Sequence, residues 1–121
     1  MAARKQLTPK RGEIYLTKFD PAKGVEIKKT RPALILQNDI SNSHSPLTIV
    51  AGISSQFGES LYPTEVFIKS PEGVKTDCVV LLNQLRSIDK RRLGHYIGKL
   101  SPATMELVNE ALKISLGLIE I

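Results

Sequence analysis

The chain has 121 residues, 41% hydrophobic and 24% charged, the balance expected of one globular domain with its own core. No apolar run approaches the roughly 20 residues that span a bilayer, and no apolar segment follows the basic N-terminus to make a signal peptide. A cytoplasmic location is therefore expected by default. The single cysteine, Cys78, allows neither an internal disulfide nor a multi-cysteine metal site. The net charge of +5 favours a polyanionic partner, although a solvated basic surface explains it equally well.

In chain order, residues 1–10 read as a loose basic arm and residues 11–121 as the folded domain. Short β-prone runs follow: EIYLTKF (13–19), PALILQN (32–38), LTIVAGIS (47–54), TEVFI (64–68), CVVLLNQL (78–85) and HYIGKL (95–100). The breaks DPAKG, NSHSP, FGESLYP and SPEG are rich in turn residues. Such short spacing leaves no room for crossover helices, so the sheet should be curved and mainly antiparallel. SIDKRRL predicts one helical turn with Asp89 near its start. The C-terminal stretch predicts a helix with Ser101 as N-cap and Pro102 at its first position. Met105, Val108, Leu112, Leu116 and Ile119 recur at helical spacing as a core-facing stripe. The expected fold is mainly β: a small antiparallel barrel of SH3-like shape closed by a C-terminal helix.

The positive charge is uneven. Residues 1–31 hold nine Lys or Arg against Glu13, Asp20 and Glu26, and a second cluster is Lys90-Arg91-Arg92 near Arg86. HExxH, a P-loop, GxGxxG and a clustered His/Cys/carboxylate ligand set are all missing, so no metal or other cofactor is expected. His44 in NSHSP reads as a solvent-exposed loop residue, His95 as structural or surface, and Cys78 in CVVLL as a buried small hydrophobe. Arginine, hydroxyls and amides at strand ends are what is left. Pro32 biases Arg31 towards an extended backbone, and the strand 47–54 ends in Ser54, Ser55 and Gln56. A guanidinium beside a hydroxyl at one barrel rim suits a phosphate. RNA brings its own nucleophile in the 2′-OH, so metal-free RNA cleavage is one chemistry open to such a pair.

RGEIYLTKFDPAKG, RPALILQND, IVAGISSQ, YPTEV, VVLLNQLRSIDKRRL and IGKLSPATMELVNEAL, in this order from about Arg11 onwards, resemble the MazF/PemK family of toxin endoribonucleases. The resemblance implies a CcdB-like compact barrel, a homodimer, and sequence-specific, metal-independent cleavage of single-stranded RNA to 2′,3′-cyclic phosphate and 5′-hydroxyl ends. It also implies a MazE-like antitoxin whose acidic tail covers the RNA groove. The family's catalytic arginine falls on Arg31, and its catalytic threonine, two positions before a strand-end glutamine, falls on Ser54. Serine keeps the hydroxyl but loses the methyl that restrains the rotamer. Glu26, Lys28, Lys29, Gln56, Asn83, Gln84 and Arg86 are the expected RNA-binding set. The loop GVEIKKTRP departs from the family's more polar, glycine-containing form at Val25, Ile27, Lys28 and Lys29, and Asn83 replaces an acid, so base recognition does not transfer. Two other readings share the fold: a non-enzymatic CcdB-like toxin acting on a protein such as DNA gyrase, and an RNA-binding module with weakened catalysis.

Overall fold

The computed structural model describes residues 8–121, and its strands follow the apolar runs of the sequence. They are β1 (Glu13–Lys18), β2 (Thr30–Ile35), β3 (Leu47–Ser54), β4 (Glu65–Ile68), β5 (Cys78–Asp89) and β6 (Leu93–Lys99). All pair antiparallel in one curved sheet of order β4-β5-β3-β2-β1-β6. β2 is central and covered on both faces. Alternation sends Leu34 and Leu36 into one cluster with Ile14, Ala51, Val80 and Val108, and Ala33 and Ile35 into a second with Tyr15, Phe19 and Val50. Leu34 is fully buried, so Leu34→Ala should cost about 2–5 kcal/mol.

Two devices bend the sheet. A register shift between Ala51 and Gly52 gives β5 extra residues around Asn83 and Gln84, so the strand bulges outward there. The β4–β5 loop then crosses to β6, where Gly73 and Gly98 pack so closely that a Cβ on Gly98 would lie 2.5 Å from the Gly73 carbonyl oxygen. The loop thereby closes the barrel between the two edge strands.

The C-terminal helix forms as expected, as α2 (Pro102–Ser115), with Ser101 accepting from the Thr104 N–H. Its packed face is Val108 and Ala111 flanked by Met105 and Leu112. The expected stripe ends sooner, because Leu116 is the C-cap and both Leu116 and Ile119 are exposed. The turn expected in SIDKRRL is a 3₁₀ turn, Lys90–Arg92, capped by the Asp89 side chain.

One element differs from expectation. The segment containing NSHSP was expected to be a loop; instead Asp39–His44 forms a helix, α1, with Asn38 accepting from the Ser41 N–H. Its stability is tertiary. Asn42 is fully buried; its Oδ1 accepts from Gln37 and Thr48, and its carbonyl accepts from the buried Lys90 ammonium. Residues 1–7 of the expected arm lie outside the described residues. Of its last three, Pro9 is buried and the Lys10 N–H donates to Glu13, so the chain is already packed there.

Candidate functional site

β2 and β3 pair as far as Ala33 opposite Gly52, and Arg31 and Ser54 each lie two residues beyond that last pair, on neighbouring strands. Both line one cleft of about 710 Å³ with Gln56 and Gln84. Arg31 is exposed, and no hydrogen bond or ion pair found among the described residues involves its guanidinium. Extension before Pro32 holds its backbone at the rim, while the planar fork stays available to an anion.

Ser54 is half-buried and ends β3 in a tight turn: its Oγ accepts from the Gln56 N–H at 3.0 Å and donates to the Gln56 carbonyl at 3.3 Å. Its oxygen is thus positioned by backbone, which partly replaces the rotamer restraint that a threonine methyl would supply. Ser55 and Gln56 are exposed beside it.

Gln84 has a different occupation from the one its sequence position suggests. Its Oε1 accepts from the Ile27 N–H at 2.9 Å and its Nε2 donates to the Val25 carbonyl at 3.2 Å. It therefore clamps the tip of the β1–β2 loop. Ile27 lies against β3 so tightly that a Cβ on Gly52 would meet its Cδ1 at 2.6 Å, and Ile27 forms part of the cleft wall. The loop base is held by two arginines: Arg86 donates to the Phe19 and Pro21 carbonyls, and Arg92 to those of Lys18 and Asp20.

The other expected residues fall outside the cleft lining. The Glu26 carboxylate caps its own loop by accepting from the Lys23 N–H. Lys28 is exposed on the loop, and Lys29 adopts a left-handed backbone (φ 61°) with its N–H on Asp20. Asn83 is exposed on the β5 bulge. The cluster Lys90-Arg91-Arg92 is dispersed, with Lys90 buried, Arg91 paired to Asp89, and Arg92 on the loop carbonyls.

Sequence reasoning missed Lys75 and Thr76, which also line the cleft. They sit two and three residues after the turn SPEG, and no motif marks them. None of the cleft-lining residues is His, Asp or Glu. Cys78 is the buried thiol in the lining; burial, reinforced by the Asp77 charge, pushes its pKa up to about 11. Among the described residues no group of three or more His, Cys, Asp or Glu is placed to hold a metal ion, and no helix is long and apolar enough to cross a membrane. The arrangement offers an unoccupied guanidinium, a fixed hydroxyl, an amide and a lysine around an open cleft. Those groups suit a phosphodiester.

Residues 10–116 match the family described as PemK-like, MazF-like toxin of type II toxin–antitoxin system. The chain is 45% identical over 112 residues to endoribonuclease EndoA of Bacillus subtilis, covering 92% of this chain and 97% of that one. It is 43% identical over 110 residues to endoribonuclease MazF of Staphylococcus saprophyticus, covering 90% and 92%. Among solved structures it resembles an endoribonuclease in complex with its cognate antitoxin from mycobacterial species, with a TM-score of 0.78 at 26% identity over 93% of this chain and 99% of that one.

Proposed function

The chain belongs to the PemK-like, MazF-like toxins of type II toxin–antitoxin systems, and from that premise we propose that it is a cytoplasmic, metal-independent, sequence-specific endoribonuclease acting on single-stranded RNA. The observation that supports this reading is that Arg31, whose guanidinium has no hydrogen-bond partner among the described residues, and Ser54 line the same cleft.

The RNA 2′-oxygen attacks the adjacent phosphorus and gives its proton to water, while the P–O5′ bond breaks and the departing 5′-oxygen takes up a proton from water. The products are a 2′,3′-cyclic phosphate and a 5′-hydroxyl. Arg31 holds two non-bridging oxygens and offsets the charge that builds on them; one preorganised donor of this kind is worth about 10²–10³ in rate. Ser54, its oxygen held by the Gln56 N–H, turns its O–H from the Gln56 carbonyl to the same phosphate. The cleft fixes the attacking oxygen in line, the larger part of what a phosphoryl-transfer site without covalent chemistry has to do. Gln56 faces the bases, and the Gln84-clamped loop, with Lys28 and Lys29 on it, covers the strand. A homodimer and an antitoxin with an acidic segment that occupies the same cleft complete the proposal.

The test is incubation of purified protein with a long single-stranded RNA in EDTA, followed by end analysis. Cleavage with 5′-hydroxyl and cyclic phosphate ends is expected. Strict dependence on added Mg²⁺, 5′-phosphate ends, or binding without cleavage would each overturn it.

A further inference from the structure

The cleft does not end at Lys75. A second, open cavity of about 590 Å³ adjoins it, lined by Gly73, Gly98 and Lys99 and sharing Val74, Lys75 and Ile97 with the first. Lys75 thus lines both cavities and Lys99 the second, and both lysines are exposed. Resting on the nuclease reading above, we infer that Lys75 and Lys99 form a phosphate subsite that holds the RNA backbone beyond the bond being cut.

Three features make this a built groove. The loop that carries Lys75 is fixed at both ends of its turn: Ser70 Oγ donates to the Lys75 carbonyl at 2.7 Å, and the Ser70 N–H donates to Asp77 at 2.8 Å. Glu72 ties the same loop to the start of α2, accepting from the Ser101 N–H and the Thr104 hydroxyl, each at 2.9 Å. Hydrogen bonding at Ser101 is the main reason its carboxyl lies below the usual range. Finally, the contact of Gly73 with Gly98 seats the loop against β6.

The nearby carboxylates form no ion pair with either lysine. Glu13, opposite Lys99 across the β1–β6 pair, accepts from the Lys10 N–H and the Tyr15 hydroxyl. Glu72 and Asp77 are engaged as above. Among the described residues the ion pairs are Arg91–Asp89 and Lys113–Glu110, and neither involves this groove. Two ammonium groups beside a fixed loop, neither of them in an ion pair among the described residues, suit successive phosphates of a flexible strand. A single-stranded backbone gives a salt dependence of about 0.7 in log K per log salt for each phosphate neutralised, so one contact is worth about fivefold at 0.1 M relative to 1 M salt.

The experiment is fluorescence anisotropy with a labelled, random-sequence 2′-O-methyl RNA pool, which lacks the attacking hydroxyl and stays intact, over a salt series. Lys75→Ala and Lys99→Ala are each expected to weaken binding about fivefold at 0.1 M salt and to flatten the slope by about 0.7, the double variant by about 1.4. Lys75→Arg should restore the wild-type slope, and Lys113→Ala on α2 should leave it unchanged. Unchanged slopes in both groove variants, in a protein that still cleaves RNA, overturn the subsite alone. A loss at Lys113 equal to that at Lys75 also overturns it, since a diffuse field would then suffice. Wild-type protein that neither binds the pool nor cleaves RNA overturns the nuclease reading and the subsite together.

Discussion

Gln84 decides whether the loop over the cleft is a fixed wall or a flap. Its side chain makes two hydrogen bonds to loop backbone, at Ile27 and Val25, and the tip's other long-range hold is the contact of Ile27 on Gly52. Each such bond contributes about 0.5–1.5 kcal/mol net. Losing both in Gln84→Ala should therefore destabilise the closed tip by about 1–3 kcal/mol, raising its open population roughly 5- to 150-fold. Arg86 and Arg92 still hold the loop base, so the opening should be local and the global melting temperature nearly unchanged. Limited trypsin cleavage after Lys28 and Lys29, both exposed on this loop, reads the opening, and its rate should rise by the same factor. If cleavage there is as in wild type while RNA binding falls, Gln84 acts by touching RNA and the clamp argument is wrong.

Arg31→Lys keeps the charge but not the planar fork, and cleavage should fall by about 10²-fold or more; near-wild-type single-turnover rates in a folded variant would remove Arg31 from the chemistry. Ser54→Ala should lose most cleavage with RNA binding nearly intact, while Ser54→Thr stays active and Ser55→Ala matters little; a single-turnover series on one fluorogenic RNA that reverses the two serines would relocate the hydroxyl. With its pKa pushed to about 11, the Cys78 thiol is protonated below that value and only about one part in a thousand is thiolate at pH 8; iodoacetamide should barely label the folded protein there and should label it readily in urea, and rapid native labelling would contradict the burial. Gly98→Ala drives a methyl into the Gly73 carbonyl, so the urea midpoint should fall by the equivalent of about 1–3 kcal/mol and RNA affinity with it; an unchanged midpoint would mean the loop is not seated on β6.

The parts legible in the sequence were those with a local physical signature. Runs of Val, Ile and Leu between turn residues gave the strands, and Ser101-Pro102 ahead of a helical period gave α2. The helix Asp39–His44 has no such signature. Its Asn and Ser residues favour turns in isolation, and it forms because Asn42 finds Gln37, Thr48 and Lys90 around it, partners up to 48 residues away. Arg31 with Ser54 and Gln56 was legible in outline because antiparallel pairing brings one strand's start beside its neighbour's end. The end of α2 was misread for the opposite reason: a periodic pattern continues through Leu116 and Ile119 after the helix itself has stopped.

Charge was the least transparent signal, and the structure explains why. A net charge of +5 treats every cation alike, whereas folding sorts them. Arg11 donates to the Leu36 carbonyl and to Asn109, Lys90 to the Asn42 carbonyl, and Arg86 and Arg92 to the loop base. These groups satisfy main-chain acceptors that would otherwise be costly to bury or would leave a loop loose. Arg91 is taken by Asp89. The dense run Lys90-Arg91-Arg92 is therefore mostly structural, while Arg31 and Lys75, far apart in sequence, line one cleft, and Lys75 and Lys99 line the cavity beside it. A cation is available to a phosphate when the fold gives it no carbonyl or carboxylate of its own. That property belongs to the three-dimensional hydrogen-bond inventory, so clustering along the chain is a poor guide to it.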